Sequence, residues 1–368
     1  MKANTLIWLV VLALGLSALA WFLTAREAAE HTVAERGLFA PELDSRLDDV
    51  TAVEIHAAGE APLRIERQGN AGWVLPAKAG YTVDAAKLRE LLRSLARVEV
   101  LEAKTANPEW HGKLKLTPVG EAEDTTVEVV ALAGDEPLLA VLLGSRAQGG
   151  QFARRSSENQ TWLLAEALSP PRTASEWLDK ALVDIKRADL RAVEVQPADA
   201  ERYTLAQAEG STDFLLTPAP PVDRETNAAN INRLLAALSS LRLLDVRDAT
   251  AEDDGGEWRQ LRFLRKDGLA VEARVRQDGG DYWLRLQAQA PETLPAAAPQ
   301  LEGEDGDAET EAEAADPGAT LAALRDEAAA LNSRARNRVF QISSYPGTGL
   351  LLDYEQLLKP PPEDDAAE

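Results

Sequence analysis

The chain has 368 residues, room for two domains of ordinary size, and its 45% apolar content is enough for real cores. A formal net charge of −22 argues against nucleic-acid binding, which needs clustered Lys and Arg to neutralise phosphates, and against docking on anionic lipid. There is no Cys, which removes disulfides, thiolate metal sites and Cys nucleophiles together.

Leu6 to Leu23 is a run of 18 residues without a charge. As a helix it would be about 27 Å long, enough to cross a hydrocarbon core. Trp8 and Trp21 sit near its ends, where amphipathic rings prefer the interface. Lys2 precedes it, and Arg26, Glu27 and Glu30 follow with net negative charge, which predicts a cytoplasmic N-terminus. A cleaved signal peptide is the other reading, through Ala18-Leu19-Ala20. Residues 1–24 are therefore expected to be a signal anchor and 25–48 a juxtamembrane stalk. His31 in the stalk has no ligand-spaced neighbour.

Residues 49–182 are expected to form a first α+β repeat. Val53 and Ile55 alternate with polar neighbours, as do Leu63 and Ile65, and Trp73-Val74-Leu75 stops at Pro76. Asp84 is a plausible N-cap for a helix carrying Leu88, Leu91, Leu92 and Leu95 on one face. Val98, Val100 and Leu101 then read as a closing strand. Residues 183–290 repeat this order. Leu91–Glu102 aligns without a gap on Leu234–Asp245 at an offset of 143, and Asp223 or Thr226 is expected to cap the second helix. Each βββαβ unit is followed by a small antiparallel β unit. In the second copy, Arg338–Ile342 is the expected counterpart of Phe152–Arg155.

Residues 291–317 carry nine acids and no base, a composition that cannot bury a core. Residues 291–318 are expected to be a disordered acidic insertion, 319–358 the end of repeat two, and 359–368 a disordered tail. The expected fold class is thus α+β: an N-terminal transmembrane helix, then two tandem repeats, each a βββαβ unit plus a small antiparallel β unit.

Trp73-Val74-Leu75, Lys104–Pro108, Leu114–Pro118, Trp162-Leu163-Leu164 and Trp177–Lys180, with the order of elements, resemble the bacterial family called domain of unknown function 4340. The resemblance covers roughly 45–290 and extends to 335–355. It implies a single-anchor envelope protein, often encoded beside gliding-motility-type ABC transporter subunits. It brings no catalytic residue, and the acidic insertion departs from its pattern.

No phosphate-binding glycine loop, nucleophile elbow or zinc-protease motif is present. Glu54 and Glu194 occupy equivalent positions, either as a carboxylate pair across the repeats or as solvent-facing strand residues. His56 and His111 are a pair only if the fold brings them together. Trp110 and His111, on a loop bracketed by Pro108 and Gly112, either recognise a partner or sugar or plug a seam inside repeat one. Trp283 points outward or into the seam between the repeats. Arg154 and Arg155 read as edge protection. No catalytic, cofactor or metal residue is expected. The predicted function is a non-enzymatic, membrane-anchored envelope scaffold in the bacterial inner membrane, with its bulk periplasmic, partnered by ABC transporter subunits. The alternative is a binding module for envelope glycan or lipid.

Overall fold

The computed structural model describes residues 37–121, 126–147, 149–255, 257–295 and 317–360. They fall into two compact units. One takes in the chain up to Ala77 and Thr82–Trp177; the other takes in Lys78–Tyr81 and the chain from Leu178 onward.

Nine strands build the first sheet: β1 (Ala52–Ala57), β2 (Leu63–Gln68), β3 (Gly72–Leu75), β4 (Tyr81–Thr82), β5 (Val100–Ala103), β6 (Val127–Ala133), β7 (Glu136–Ala147), β8 (Gly150–Arg155) and β9 (Thr161–Leu164). Their spatial order is β4-β3-β2-β1-β6-β7-β8-β9-β5. The second sheet uses β10 (Ala181–Val183), β11 (Leu190–Gln196), β12 (Tyr203–Gln207), β13 (Phe214–Thr217), β14 (Leu241–Asp248), β15 (Arg259–Arg265), β16 (Ala270–Asp278), β17 (Asp281–Gln289) and β18 (Arg338–Ile342). Its order is β10-β14-β18-β17-β16-β15-β11-β12-β13. Between the strands lie α1 (Pro41–Asp44), α2 (Ala85–Arg97), α3 (His111–Leu114), α4 (Ala174–Trp177), α5 (Ala228–Leu235), α6 (Ala251–Gly255), α7 (Pro317–Ala335) and α8 (Ser344–Leu350).

This corrects the expected α+β class. The described chain is mostly β-sheet, in two large antiparallel sheets with few helices. The expected βββαβ unit and small β unit are one continuous sheet, because β1 pairs with β6 along its whole length. The strand after α2 does not close a small unit. It joins β9 at the far edge, Val100 opposite Leu164. In the second copy β14 likewise joins β18, with Leu243 opposite Ile342, and β10 is added outside it. Joining the two parts removes the edges that β1 and β6 would otherwise expose. It also makes Arg338–Ile342 the counterpart of β9, not of Phe152–Arg155. No helix among the described residues is long and apolar enough to cross a membrane, so the structure does not show the expected transmembrane helix. Leu6–Leu23 lies outside the described residues, as do 296–316 of the acidic segment and the tail from 361.

The core follows from strand alternation. Val53, Ile55 and Ala57 face one way, and the register continues the row through Ala131, Val129 and Val127 to Leu139, Val141 and Leu143. All nine are buried. The second sheet repeats the pattern through Val193, Phe263, Val271 and their neighbours. Asp84 caps α2, its carboxylate accepting from the amides of Ala86 and Lys87, and Leu88, Leu91, Leu92 and Leu95 are buried. The second helix is capped by Asn227, and by neither Asp223 nor Thr226. Residues 37–48 of the expected stalk pack into the first unit, with Phe39, Ala40 and Leu43 buried.

Candidate functional site

Alternation turns a second set of side chains to the opposite face of the second sheet. Across β15, β16 and β17 the register sets Arg262 opposite Glu272 and Glu272 opposite Gln287. The next row sets Gln260 opposite Arg274 and Arg274 opposite Arg285. A third sets Arg276 opposite Trp283. This polar face is rich in arginine in a chain that is strongly acidic as a whole.

One end of the face is covered by α6. Thr250-Ala251-Glu252-Asp253 has the spacing of a capping box, and the Asp253 carboxylate accepts from the Thr250 amide at 2.8 Å and its hydroxyl at 3.0 Å. The same carboxylate, with a fully buried side chain, accepts two bonds from Arg247, at 2.7 and 2.9 Å, and one from Arg276 at 2.9 Å. Arg247 holds it well below the usual carboxylate range. Both guanidiniums also stack on tryptophan, Arg247 over Trp283 and Arg276 over Trp258, each 4.8 Å from the ring centroid. Arg285 donates to the Asp253 carbonyl at 3.1 Å and to the Asp254 carboxylate at 2.7 Å. The result is a rigid knot that ties α6 to β14, β16 and β17.

Beside the knot lies a cavity of about 390 Å³, lined by Arg274, Arg285, Arg336, Glu272, Gln287 and Asn337 among others. Asn332 of α7 fixes its far wall, bonding both the amide and the carbonyl of Ala288 at 2.8 Å. A second hollow of about 680 Å³ shares Glu272 and Arg274 and reaches Arg262 and Arg202. Together they form a polar trough across one sheet face.

The residues singled out in the sequence have these places. Trp110, in the first unit, is 48% exposed, with the Lys113 ammonium 3.8 Å from its ring centroid. His111 beside it is buried, its Nε2 2.9 Å from the Asn159 carbonyl. Trp283 belongs to the second unit and forms part of the Asp253 knot. His56 meets Glu54 at 3.3 Å, and Glu54 also pairs with Arg64 at 2.5 Å, whereas Glu194 lies 3.8 Å from Arg262. Each carboxylate is thus engaged by its own sheet. Arg154 does not protect an edge, because β8 lies between β7 and β9. Its buried guanidinium donates to the carbonyls of Leu116 and Glu158, and burial pulls its pKa below the ordinary value. No group of three or more potential metal ligands occurs among the described residues.

Sequence reasoning passed over Asp253, Arg247, Arg274, Arg276 and Trp258. The Thr-x-x-Asp spacing at 250–253 was the available local signal. The arginines carry none, since sheet register alone assembles them.

The fold and this face define a protein of two antiparallel β units, one of them presenting a cationic trough. The chain belongs to the family described as domain of unknown function (DUF4340), whose model matches residues 73–256. No curated protein and no solved structure matches it.

Proposed function

We propose that the chain is a non-enzymatic accessory or scaffold protein of the bacterial cell envelope, attached to the inner membrane through Leu6–Leu23 with its bulk outside the cytoplasm. Its partners in this reading are membrane proteins of an ABC-type transport or gliding-motility-like assembly. The observation that carries it is the kind of site present. The most elaborate polar cluster, around Asp253, saturates its carboxylate with five donor contacts and leaves it no proton to exchange at neutral pH. Such a cluster organises a surface for recognition. The charge-free run at Leu6–Leu23 supports the attachment, and the family resemblance supports the class of partner.

Purification of the full chain in mild detergent tests this. Recovery of transporter subunits with the chain is the expected outcome, and their consistent absence overturns it. A fusion reporter at residue 40 should be active outside the cytoplasm.

A second reading, a binding module for envelope glycan or lipid, is favoured by Trp110, whose exposed ring sits on a short Pro/Gly-bracketed loop. Glycan-array binding that is lost on Trp110→Ala would select it.

A further inference from the structure

The two units hold the same sheet position in two states. In the first, Leu142 faces Glu128 on one side and Arg154 on the other. In the second, Arg274 faces Gln260 and Arg285 in the same way. Leu142 and Arg154 are sealed, at 1% and 5% exposure, and Arg154 turns its Nε and Nη2 onto one oxygen, the Leu116 carbonyl, at 3.1 and 3.0 Å. In the second unit the corresponding ground is the open 390 Å³ cavity. The side chains of Arg274 and Arg336 are exposed there and have no hydrogen-bond or ion-pair partner among the described residues.

We propose that this cavity binds the phosphate group of a small hydroxylated phosphate ester. Three guanidiniums line it, Arg274 and Arg336 unpaired and Arg285 shared with Asp254, against one lining carboxylate, Glu272, which suits an oxyanion. Guanidinium forks match phosphate oxygens in pairs. Arg274 lies directly opposite Arg285, whose charge Asp254 offsets only from the far side, and an anion between the two guanidiniums removes what repulsion is left. Glu272 and Gln287, opposite each other in the next row, offer acceptors for hydroxyls of the ligand body. The adjoining hollow gives that body room. The concave site concentrates positive potential within an acidic chain, so binding is local and does not extend to broad anionic surfaces.

Calorimetric titration of the full chain in detergent with glycerol 3-phosphate, and with inorganic phosphate, tests the site. Saturable binding is expected, weakened about tenfold or more by Arg274→Gln and by Arg336→Gln, since each removes a charge-assisted contact. Arg242→Gln, an exposed arginine outside the cavity, should leave it unchanged. Both test residues are exposed and unpaired, so the variants should fold, and unchanged far-UV circular dichroism verifies it. Competition by phosphatidylglycerol, added as mixed micelles in the same detergent, separates the sources. Displacement of the soluble ester by the lipid assigns a lipid headgroup, and binding of the ester that the lipid does not displace assigns a soluble or glycan-borne phosphate. No saturable binding to any of these probes overturns the proposal. So does binding that Arg274→Gln and Arg336→Gln leave intact, or acetate competing as well as phosphate. The proposal stands apart from the assembly reading, because co-purification and phosphate binding fail independently.

Discussion

Each sheet carries a short helical cap on its polar face, α3 in the first unit and α6 in the second, and the two are fastened in opposite ways. In the first, the backbone lies directly on the sheet. Gly144 makes this possible, because a Cβ there would sit 2.3 Å from the Leu114 carbonyl oxygen and 2.8 Å from a Leu116 methyl carbon. Arg154 reaches up and is consumed by carbonyls. In the second, the position equivalent to Gly144 is Arg276, too large to lie beneath a cap. It holds the cap instead, through Asp253. One missing side chain therefore gives a sealed contact of backbone on sheet, and one long cationic side chain gives a charged post with open ground beside it. The difference teaches that duplicated sheets diverge in surface through what covers them, while the strand register underneath stays the same.

The largest expected effect comes from breaking the charged post. Asp253→Ala leaves Arg247 and Arg276 facing each other without their carboxylate and should destabilise the second unit by about 3–5 kcal/mol. Guanidinium unfolding, with hydrogen exchange read at β16 and β17, measures it. The pH dependence has a defined sign. The folded-state pKa of Asp253 is depressed, so its contribution is present above the unfolded carboxylate value near ~3.9 and is lost as pH falls through the folded value. The penalty of Asp253→Ala should therefore be constant from pH 7 to about pH 5 and shrink below about pH 4. A penalty that survives undiminished in strong acid would show that the post is held by packing.

Arg154→Met tests the sealed cap. It leaves the buried Leu116 carbonyl without its donors and should cost about 1–3 kcal/mol, confined to the first unit. A loss that spreads evenly through both units would break the comparison. Gly144→Ala should cost about 1–3 kcal/mol, because the Leu114–Leu116 backbone must lift to admit a methyl group. Hydrogen exchange in α3 should rise with it. Trp110→Ala should change stability by no more than about 0.5 kcal/mol, since the ring is half exposed and its one recorded partner is Lys113. A larger loss would mean that Trp110 supports the cap.

What was legible in the sequence was local. Alternation around Val53 and Ile55 marks a half-buried strand because a pleat turns successive side chains to opposite faces. Asp84 before Leu88, Leu91, Leu92 and Leu95 marks a capped amphipathic helix for an equally local reason. Pairings between distant strands leave no such mark. Nothing near Ala52 says that its second neighbour is Leu132, and nothing near Val100 points to Leu164. Hence a continuous sheet reads from sequence as two smaller units. The candidate site suffered most from this. Arg274 and Arg285 come from adjacent strands, and Arg336 arrives from beyond the acidic segment, so three ordinary surface arginines become one cavity only in the folded chain.

The strands that follow the capped helices have a consequence in time. Val100 pairs with Leu164, 64 residues later, and Leu243 with Ile342, 99 residues later. During synthesis at roughly 5–20 residues per second, one side of β14 stays unpaired for roughly 5–20 s after it emerges. Contacts of such long span make closure slow relative to the local meanders. Each unit therefore passes through a stage in which a half-buried strand waits with a bare side, and for the second unit that wait lasts until the chain beyond the acidic segment has been made.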